Sequence, residues 1–195
     1  GGGPIGMEMA QAHRRLGAEV TVVEGARALG KDDPELAAIV LDAIRAEGVA
    51  LLEGCQVTSV EKRGKTGIRV SYEGKAGAGF VDGTDLLVAV GRLANVEGLG
   101  LDEAGVAHDR RGIKVGANLR SSNSRVYAIG DVAGGLQFTH VAGYHAGLVA
   151  QQILFRLPAK ENRDIIPWVT YTDPELAHVG LSEEEAARRH GGRIS

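Results

Sequence analysis

Apolar residues recur at the spacing of an α-helix in three segments of the chain. The first segment runs from Ile5 to Leu16. The second opens at Asp33-Pro34, an N-cap residue followed by proline at the first helical position, and its apolar stripe ends before Gly48. The third spans Thr139 to Phe155. Each is long enough for a helix of a globular domain.

Between and after these segments, the pattern changes to that of β-strands. Short apolar runs predict buried strands at residues 19–24, 49–53, 86–90, 126–129 and 168–171. Two alternating segments, residues 56–62 and 68–72, predict an antiparallel meander, with a loose loop at residues 74–79. A capping box of Ser182 and Glu185 predicts a last helix that ends at Gly191-Gly192. Together these elements predict an α/β fold.

Glycines at the start of the chain form a dinucleotide-binding pattern. Gly1, Gly3 and Gly6 have the spacing that gives a tight turn, a close approach to pyrophosphate and close helix packing. The following helix directs free N–H groups toward the phosphates. Glu24 lies 18 residues after Gly6, near the spacing at which an acidic residue binds the adenosine ribose. The alternatives are a flexible glycine-rich chain end and a solvated strand-end acid.

The charge of Glu24 favours NAD over NADP. A 2′-phosphate about 4 Å from the carboxylate would be repelled by roughly 4 kcal/mol per unit charge at an effective dielectric constant near 20. Arg27 would offset only about 1 kcal/mol of this repulsion if its side chain stays solvated.

The composition is that of a globular protein with balanced charge. The chain has 195 residues, 44% of them hydrophobic, and 22 basic against 25 acidic residues give a net charge of −3. No basic, aromatic-rich cluster indicates nucleic acid, and no apolar run approaches the ~18 residues of a membrane span. The single cysteine, Cys55, excludes an internal disulfide and a multi-cysteine metal site, so we expect no metal and a cytoplasmic location. No strand precedes Gly1, which predicts that the chain is a fragment.

Several further motifs occur in a specific order. They are Ala-Val-Gly-Arg at 89–92, Val-Tyr-Ala-Ile-Gly-Asp at 126–131, Phe-Thr-His-Val-Ala at 138–142 and Thr-Tyr-Thr-Asp-Pro-Glu at 170–175. With the opening glycines, they resemble the pyridine nucleotide-disulfide oxidoreductases, a family of FAD enzymes. The similarity is greatest to the branch of mercuric reductase and dihydrolipoamide dehydrogenase, and it covers nearly the whole chain.

The resemblance implies two sets of cofactor-binding residues. For NAD they are Gly1, Gly3, Pro4, Ile5, Glu8, Glu24, Val57 and Gly91. For FAD they are Asp131, Gln137, Phe138, Thr139 and His140. Glu8 would lie beside the nicotinamide, although an exposed helix acid is an equally good interpretation. Asp131 would bind the ribityl chain, and His140 is at least as well explained as a capping or packed residue.

The resemblance also implies a domain order. Residues 1–114 would form a Rossmann-like NAD-binding domain with a β-meander, lacking its first strand. Residues 115–158 would be the second part of an FAD-binding domain, 159–165 a linker, and 166–195 the start of an α+β dimerisation domain.

The implied function is transfer of hydride from NAD(P)H through flavin to a disulfide or related electron acceptor, in a homodimer. The family's redox-active cysteine pair, ADP-binding fingerprint and histidine-glutamate dyad have no counterpart in the chain. We therefore expect no catalytic residue in it, and no activity from the fragment alone. Two alternatives are a non-catalytic nucleotide-binding module and a dehydrogenase that uses nicotinamide alone. The second leaves the motif at residues 128–131 unexplained.

Overall fold

The computed structural model describes residues 1–191, which divide into two compact units. The first unit comprises Gly1–Gly91 and the chain from Pro167 onward, and the second comprises Arg92–Ile166. Helices and strands are mixed, as predicted for an α/β protein. Gly192 and the rest of the predicted 166–195 segment beyond residue 191 lie outside the described residues.

The first unit opens with two helices that alternate with two strands. They are α1 (Pro4–Arg15), β1 (Thr21–Glu24), α2 (Pro34–Ala46) and β2 (Ala50–Glu53). β1 and β2 pair in parallel. As predicted, α2 begins after an N-cap aspartate, whose carboxylate accepts the Glu35 N–H at 2.9 Å.

The core of this unit lies between the helices and the parallel strands. Its members are buried apolar side chains of α1, α2 and the segments that flank them: Met7, Ala10, Val22, Ala28, Leu29, Ala37, Val40, Leu41, Ile44, Val49 and Leu176. Burying such side chains stabilises the fold by about 1.5–3 kcal/mol each for the larger ones. In α2 the predicted stripe packs in part, through Val40 and Ile44. In α1 the prediction was wrong: Ile5, Met9 and Leu16, which gave the helical spacing, are exposed, and the buried face is that of Met7 and Ala10.

A three-stranded antiparallel meander follows. It consists of β3 (Gln56–Arg63), β4 (Gly67–Gly74) and β5 (Gly77–Gly83), in the spatial order β3-β4-β5. The meander was predicted, but the segment expected to be a loose loop at 74–79 instead turns tightly and enters β5. The turn is possible because Gly77 has φ +104°, which glycine adopts without steric cost.

The predicted strand at residues 86–90 is not formed. The segment has no regular secondary structure, and most of its side chains are exposed: 68% of Val88 and 78% of Val90 remain accessible. A strand needs the backbone of a neighbour, and no strand among residues 1–191 pairs with this one. The run of apolar residues predicts burial, but within residues 1–191 most of these side chains remain exposed.

The chain from Pro167 returns to the first unit. β8 (Trp168–Thr170) and β9 (Leu176–His178) form a hairpin, and α4 (Glu183–His190) has the predicted capping box. The hairpin turn is held along one face of α1. Glu8 accepts the Tyr171 N–H at 2.9 Å, and Gln11 both donates to and accepts from the backbone of Asp173, each at 2.8 Å.

The second unit has little regular structure apart from one long helix. It contains the two-residue strands β6 (His108–Asp109) and β7 (Gly112–Ile113), a 3₁₀ turn at Gly130–Ala133, helix α3 (Thr139–Leu154) and a 3₁₀ turn at Arg163–Ile165. The strand predicted at 126–129 is reduced to a single bridge between Arg120 and Tyr127. Ala128 and Val126 still pack in a small core beside Leu101 and Val106, whereas Ile129 is 39% exposed.

Candidate functional site

The glycine turn in front of α1 has one open side and two closed ones. A Cβ at Gly1 would collide with the carbonyl oxygen of Ala89, and a Cβ at Gly6 with that of Gly1. At Gly3, by contrast, a Cβ would meet no atom within 4 Å. Gly1 and Gly6 therefore allow close backbone packing, whereas Gly3 leaves space through which a ligand can approach the backbone.

The turn ends in the first turn of α1. Gly3 is the N-cap and Pro4 the first helical residue, and no side chain caps this end. The amides of Ile5 and Gly6 have no acceptor within the helix, as holds for the first turn of any α-helix. These N–H groups and the helix dipole make the open side of Gly3 favourable for an anion.

Glu24 is joined to this turn directly. Its carboxylate accepts the Gly2 N–H at 2.6 Å and the Ala26 N–H at 2.8 Å, one on each oxygen. The carbonyl of Gly2 in turn accepts the Leu29 N–H at 2.9 Å. Residues of β1 and of the loop after it therefore bind both the N–H and the carbonyl of Gly2, and the Glu24 carboxylate lies directly beside the glycine turn.

The environment keeps Glu24 ionised. Partial burial acts to raise the pKa of the carboxyl group, but the hydrogen bonds from Gly2 and Ala26 outweigh it and hold the pKa below its usual value. Each carboxylate oxygen has a second lone-pair direction free of these two bonds. Glu24 can thus accept further hydrogen bonds, such as those from sugar hydroxyls.

Arg27 does not neutralise this carboxylate. Its guanidinium donates to the carbonyl of Pro34 at 3.3 Å, at the start of α2. No side-chain ion pair within residues 1–191 involves Glu24. Beside this loop lies an open cleft of about 780 Å³, whose lining includes Arg27 and Cys55. The Cys55 thiol is half-buried and donates to the carbonyl of Glu53 at 3.5 Å.

The other residues expected at NAD lie in the same unit. Pro4 and Ile5 are in the first turn of α1, and Glu8 lies one turn further on, where the Tyr171 N–H holds its carboxylate. Val57 is exposed near the start of β3, just before an irregularity in the β3–β4 pairing. Gly91 has φ +116° and open space around its Cα. The structure brings the glycine turn and Glu24 into contact through the Gly2 N–H.

The residues expected at FAD lie in the second unit. Asp131 is on the 3₁₀ turn Gly130–Ala133, and its carboxylate is 49% exposed. Arg92 connects this turn with the start of α3: one guanidinium nitrogen is 3.8 Å from a carboxylate oxygen of Asp131 and donates to the carbonyl of Gln137 at 3.2 Å. Arg92 was not among the predicted site residues, although the Gly-Arg motif contained it.

The start of α3 carries the remaining three. Phe138 is the N-cap, and no side chain caps the helix. The rings of Phe138 and His140 stack with centroids 5.3 Å apart and planes within 9°. Thr139 and His140 are exposed. The structure thus groups Asp131, Gln137 and the first turn of α3 around Arg92.

Sequence reasoning assigned no role to two buried residues behind Asp131. His145 of α3 has a side chain only 2% exposed, and its Nδ1 accepts the Gly130 N–H at 3.1 Å. Its Nε2 lies 2.9 Å from a carboxylate oxygen of Glu161. Burial acts to raise the pKa of Glu161, but hydrogen bonds from His145 and Arg163 outweigh it and lower that pKa. A buried histidine one turn and a half into a helix gives no sequence signal that distinguishes this role from packing.

The donor set of each unit fits the cofactor expected there. An open glycine turn, a helix N-terminus and an ionised strand-end acid suit a pyrophosphate and a ribose. A half-exposed aspartate beside a turn suits the hydroxyl groups of a sugar alcohol. Within residues 1–191, no group of three or more His, Cys, Asp or Glu side chains has the arrangement of a metal site.

The family model for pyridine nucleotide-disulphide oxidoreductase matches residues 1–146, and the chain belongs to this family. This agrees with the resemblance found in the motifs.

Individual relatives support the same assignment. The chain is 37% identical to a mercuric reductase of Bacillus cereus over 97% of its length and 30% of the relative's. It is also 37% identical to a dihydrolipoyl dehydrogenase of Staphylococcus aureus, over 95% of the chain and 40% of the relative. The chain therefore spans less than half of the length of these relatives.

Two solved structures show the similarity of the fold. LpdA of Mycobacterium tuberculosis superposes with a TM-score of 0.87 at 26% identity, over 97% of this chain and 40% of that one. The HOCl-induced flavoprotein disulfide reductase RclA of Escherichia coli gives 0.84 at 28% identity, over 96% and 43%. In residues 1–191, no helix combines the length and apolar character that crossing a membrane requires.

Proposed function

We propose that this chain supplies the NAD-binding region and the second part of the flavin site of an FAD-dependent oxidoreductase. In the complete protein, electrons would pass from NADH through the flavin to a disulfide or related acceptor. Residues 1–114 would bind NAD, 115–158 would contribute to FAD binding, and the region from 166 would begin a dimerisation domain in a homodimer. Family membership and the coverage of the relatives support this proposal.

On the nucleotide side, the pyrophosphate of NAD would lie over the open face of Gly3. The amides at the start of α1 would donate to it, and the ribose hydroxyls of the adenosine would donate to Glu24. The observation that carries the proposal is that the Glu24 carboxylate is hydrogen-bonded to the glycine turn while the Gly3 side of that turn stays open. Packed side chains over Gly3, or an acid directed elsewhere, would have left no such site.

The same geometry supports NAD rather than NADP. Glu24 is ionised, both its oxygens are held in place, and Arg27 is engaged with Pro34. A 2′-phosphate on the adenosine ribose would meet a fixed negative charge. Discrimination would arise from repulsion, which acts against NADP without weakening the contacts to NAD.

On the flavin side, Asp131 would accept hydrogen bonds from the ribityl hydroxyls, and Arg92 would keep its carboxylate near Gln137. The first turn of α3 would face the pyrimidine edge of the ring, where the helix dipole favours negative charge. When bound, FAD supplies the redox chemistry, taking up hydride from reduced nicotinamide. The residues of this chain bind and orient it.

A glycine substitution tests the nucleotide half without disturbing the fold. Gly3 has φ −73° and ψ 178°, which alanine also adopts, and its Cβ would enter open space. We therefore expect Gly3→Ala to fold with a melting temperature within a few degrees of the parent, yet to bind NADH at least tenfold more weakly in a fluorescence titration. Unchanged NADH affinity would refute the proposed pyrophosphate position.

Purification of the complete protein that carries this chain tests the flavin half. A yellow protein whose bound flavin is reduced by NADH supports the flavoenzyme. NADH binding without retained FAD would indicate the nucleotide-binding module instead. Substrate oxidation by NAD with no flavin present would indicate a dehydrogenase that uses nicotinamide alone.

A further inference from the structure

A buried chain of hydrogen bonds lies directly behind the Asp131 turn. It runs from the Gly130 N–H to His145, from His145 to Glu161, and from Glu161 to the guanidinium of Arg163, with heavy-atom distances of 3.1, 2.9 and 2.9 Å. The side chains of His145 and Glu161 are only 2% and 8% exposed. None of these groups belongs to the binding site proposed above.

The partners of His145 determine which ring nitrogen carries the proton. The Gly130 amide is a donor, so Nδ1 must be the acceptor and has no hydrogen. Nε2 therefore carries the hydrogen and donates it to Glu161, which is ionised because its pKa is lowered. The neutral ring thus accepts a hydrogen bond from a backbone amide through Nδ1 and donates one to a carboxylate through Nε2.

The turn that His145 holds has little freedom of its own. Gly130 has φ +65°, and a Cβ there would lie 2.9 Å from the Cβ of Ala142 on α3. Its N–H is directed into the protein, while the next residue, Asp131, presents its carboxylate outward. Gly130 and Asp131 are adjacent in the same 3₁₀ turn, so holding the Gly130 amide limits the directions in which Asp131 can leave the turn.

The segment that supplies Glu161 is itself fixed to this unit. The Glu161 N–H donates to the carbonyl of Ala117 at 2.7 Å, and the Asn162 N–H to the hydroxyl of Tyr144 at 3.0 Å. Glu161 is thus held from its backbone as well as from Arg163. It can therefore fix the orientation of the imidazole ring through the hydrogen bond to Nε2.

We propose that His145 is a positioning residue for the flavin, which acts by holding the Gly130 amide so that Asp131 faces the ribityl chain. Glu161 and Arg163 orient the imidazole for this task. The inference rests on the proposed function of Asp131 as a flavin-binding residue. It adds a determinant of flavin affinity that does not itself contact the cofactor.

Two substitutions of His145 separate positioning from packing. In His145→Asn, the amide oxygen lies about where Nδ1 was and can still accept the Gly130 N–H, but the bond to Glu161 is lost. In His145→Gln, the amide nitrogen reaches about the position of Nε2 and can still donate to Glu161, but the bond to Gly130 is lost. Each variant removes one of the two bonds from the same buried site.

The measurement is the dissociation constant of FAD from the complete protein, obtained by fluorescence titration of the apoprotein, with melting temperatures in parallel. We expect His145→Gln to weaken FAD binding about tenfold or more and His145→Asn to stay within threefold of the parent, at similar losses of melting temperature. Equal FAD affinities for the two variants would overturn the inference. Asp131→Asn tests the proposed function separately, because a normal FAD affinity there would refute the role of Asp131 itself.

A second measurement decides the matter if His145→Gln does not fold. Hydrogen exchange of the Gly130 amide, followed by NMR after glycine-selective ¹⁵N labelling, reports on the bond to His145 in the parent protein. We expect this amide to be protected in the apoprotein as strongly as the core amides of α3. Rapid exchange without FAD would show that the turn is not held in advance, and would overturn the inference.

Discussion

Replacing Glu24 with glutamine is the sharpest test of how this chain selects its nucleotide. The glutamine has nearly the same shape but no charge, and only one of its two terminal atoms accepts hydrogen bonds. It can keep one of the two bonds from Gly2 and Ala26, which are 2.6 and 2.8 Å long in the parent. The glycine turn should keep its backbone conformation, while the negative charge beside it is lost.

The expected effects on NADH and NADPH have opposite signs. Hydrogen bonds to a charged group contribute about 1.5–3 kcal/mol and neutral ones about 1, so NADH affinity should fall about tenfold. The repulsion of a 2′-phosphate about 4 Å away is roughly 4 kcal/mol per unit charge at a dielectric constant near 20. Because Glu24 is partly exposed, water screens this repulsion, and we expect removal of the charge to improve NADPH binding by about 2 kcal/mol. The ratio of the two affinities should then move toward NADPH by a hundredfold or more in total.

The assay is a titration of each reduced nucleotide by fluorescence at constant ionic strength near 0.1 M, where the Debye length is about 10 Å. Glu53→Gln is the matched control. Glu53 is paired with Glu24 across the two parallel strands, and its carboxylate likewise accepts a backbone amide, that of Ala28, at 2.8 Å. Its other oxygen, however, is bound by Arg45.

The control should lose stability but keep the nucleotide preference of the parent. If Glu24→Gln leaves the ratio of the two affinities unchanged, the ribose role of Glu24 is wrong. If Glu53→Gln shifts the ratio equally, the effect belongs to the general charge of this sheet edge, and the specific geometry at the glycine turn carries no selectivity.

Three further predictions concern stability. Arg69→Ala should lower the melting temperature by about 2–4 °C, because the guanidinium binds Asp82 through two nitrogens and lies 3.7 Å above the ring of Phe80; no change in a calorimetric scan would contradict this. Gln11→Leu should cost about 2–3 kcal/mol in chemical denaturation, because it leaves the partly buried amide of Asp173 without its acceptor; a loss below 0.5 kcal/mol, on the order of an exposed-surface change, would show that water replaces the amide. The folded pKa of Glu161 lies below its ordinary 4.5, so its contribution is complete above about pH 4.5 and is lost as the pH falls through the folded pKa. Glu161→Gln should therefore flatten the acid limb of the stability profile, and an identical limb would refute the pairing with His145.

The helices were predictable because their signals are local. The start of α2 is set by an aspartate cap and a proline, and the start of α4 by a capping box, all within a few residues of the element they begin. The glycine turn and Glu24 were found for a similar reason. Their spacing reflects a fixed order of turn, helix and strand, and the structure joins them through the Gly2 N–H.

The strands were less predictable because a strand depends on a partner that is distant in sequence. Residues 86–90 have the composition of a buried strand but pair with no described strand, whereas residues 77–83, with four glycines or alanines among them, form β5 because β4 lies beside them. Periodicity reports which residues favour burial. It does not report which backbone is available to pair with.

What the amino-acid sequence alone determined about this protein is its family and the positions of its helices, and it predicts the groups that would bind a dinucleotide. These follow from residue type at short spacing, where the backbone geometry is nearly fixed. Only the tertiary structure decided which apolar runs become strands, that Arg92 connects Asp131 with Gln137, and that His145 and Glu161 hold the amide behind Asp131. Those hydrogen bonds depend on the direction of side chains from segments 15 to 45 residues apart, and hydrogen bonds are strong only when such directions match.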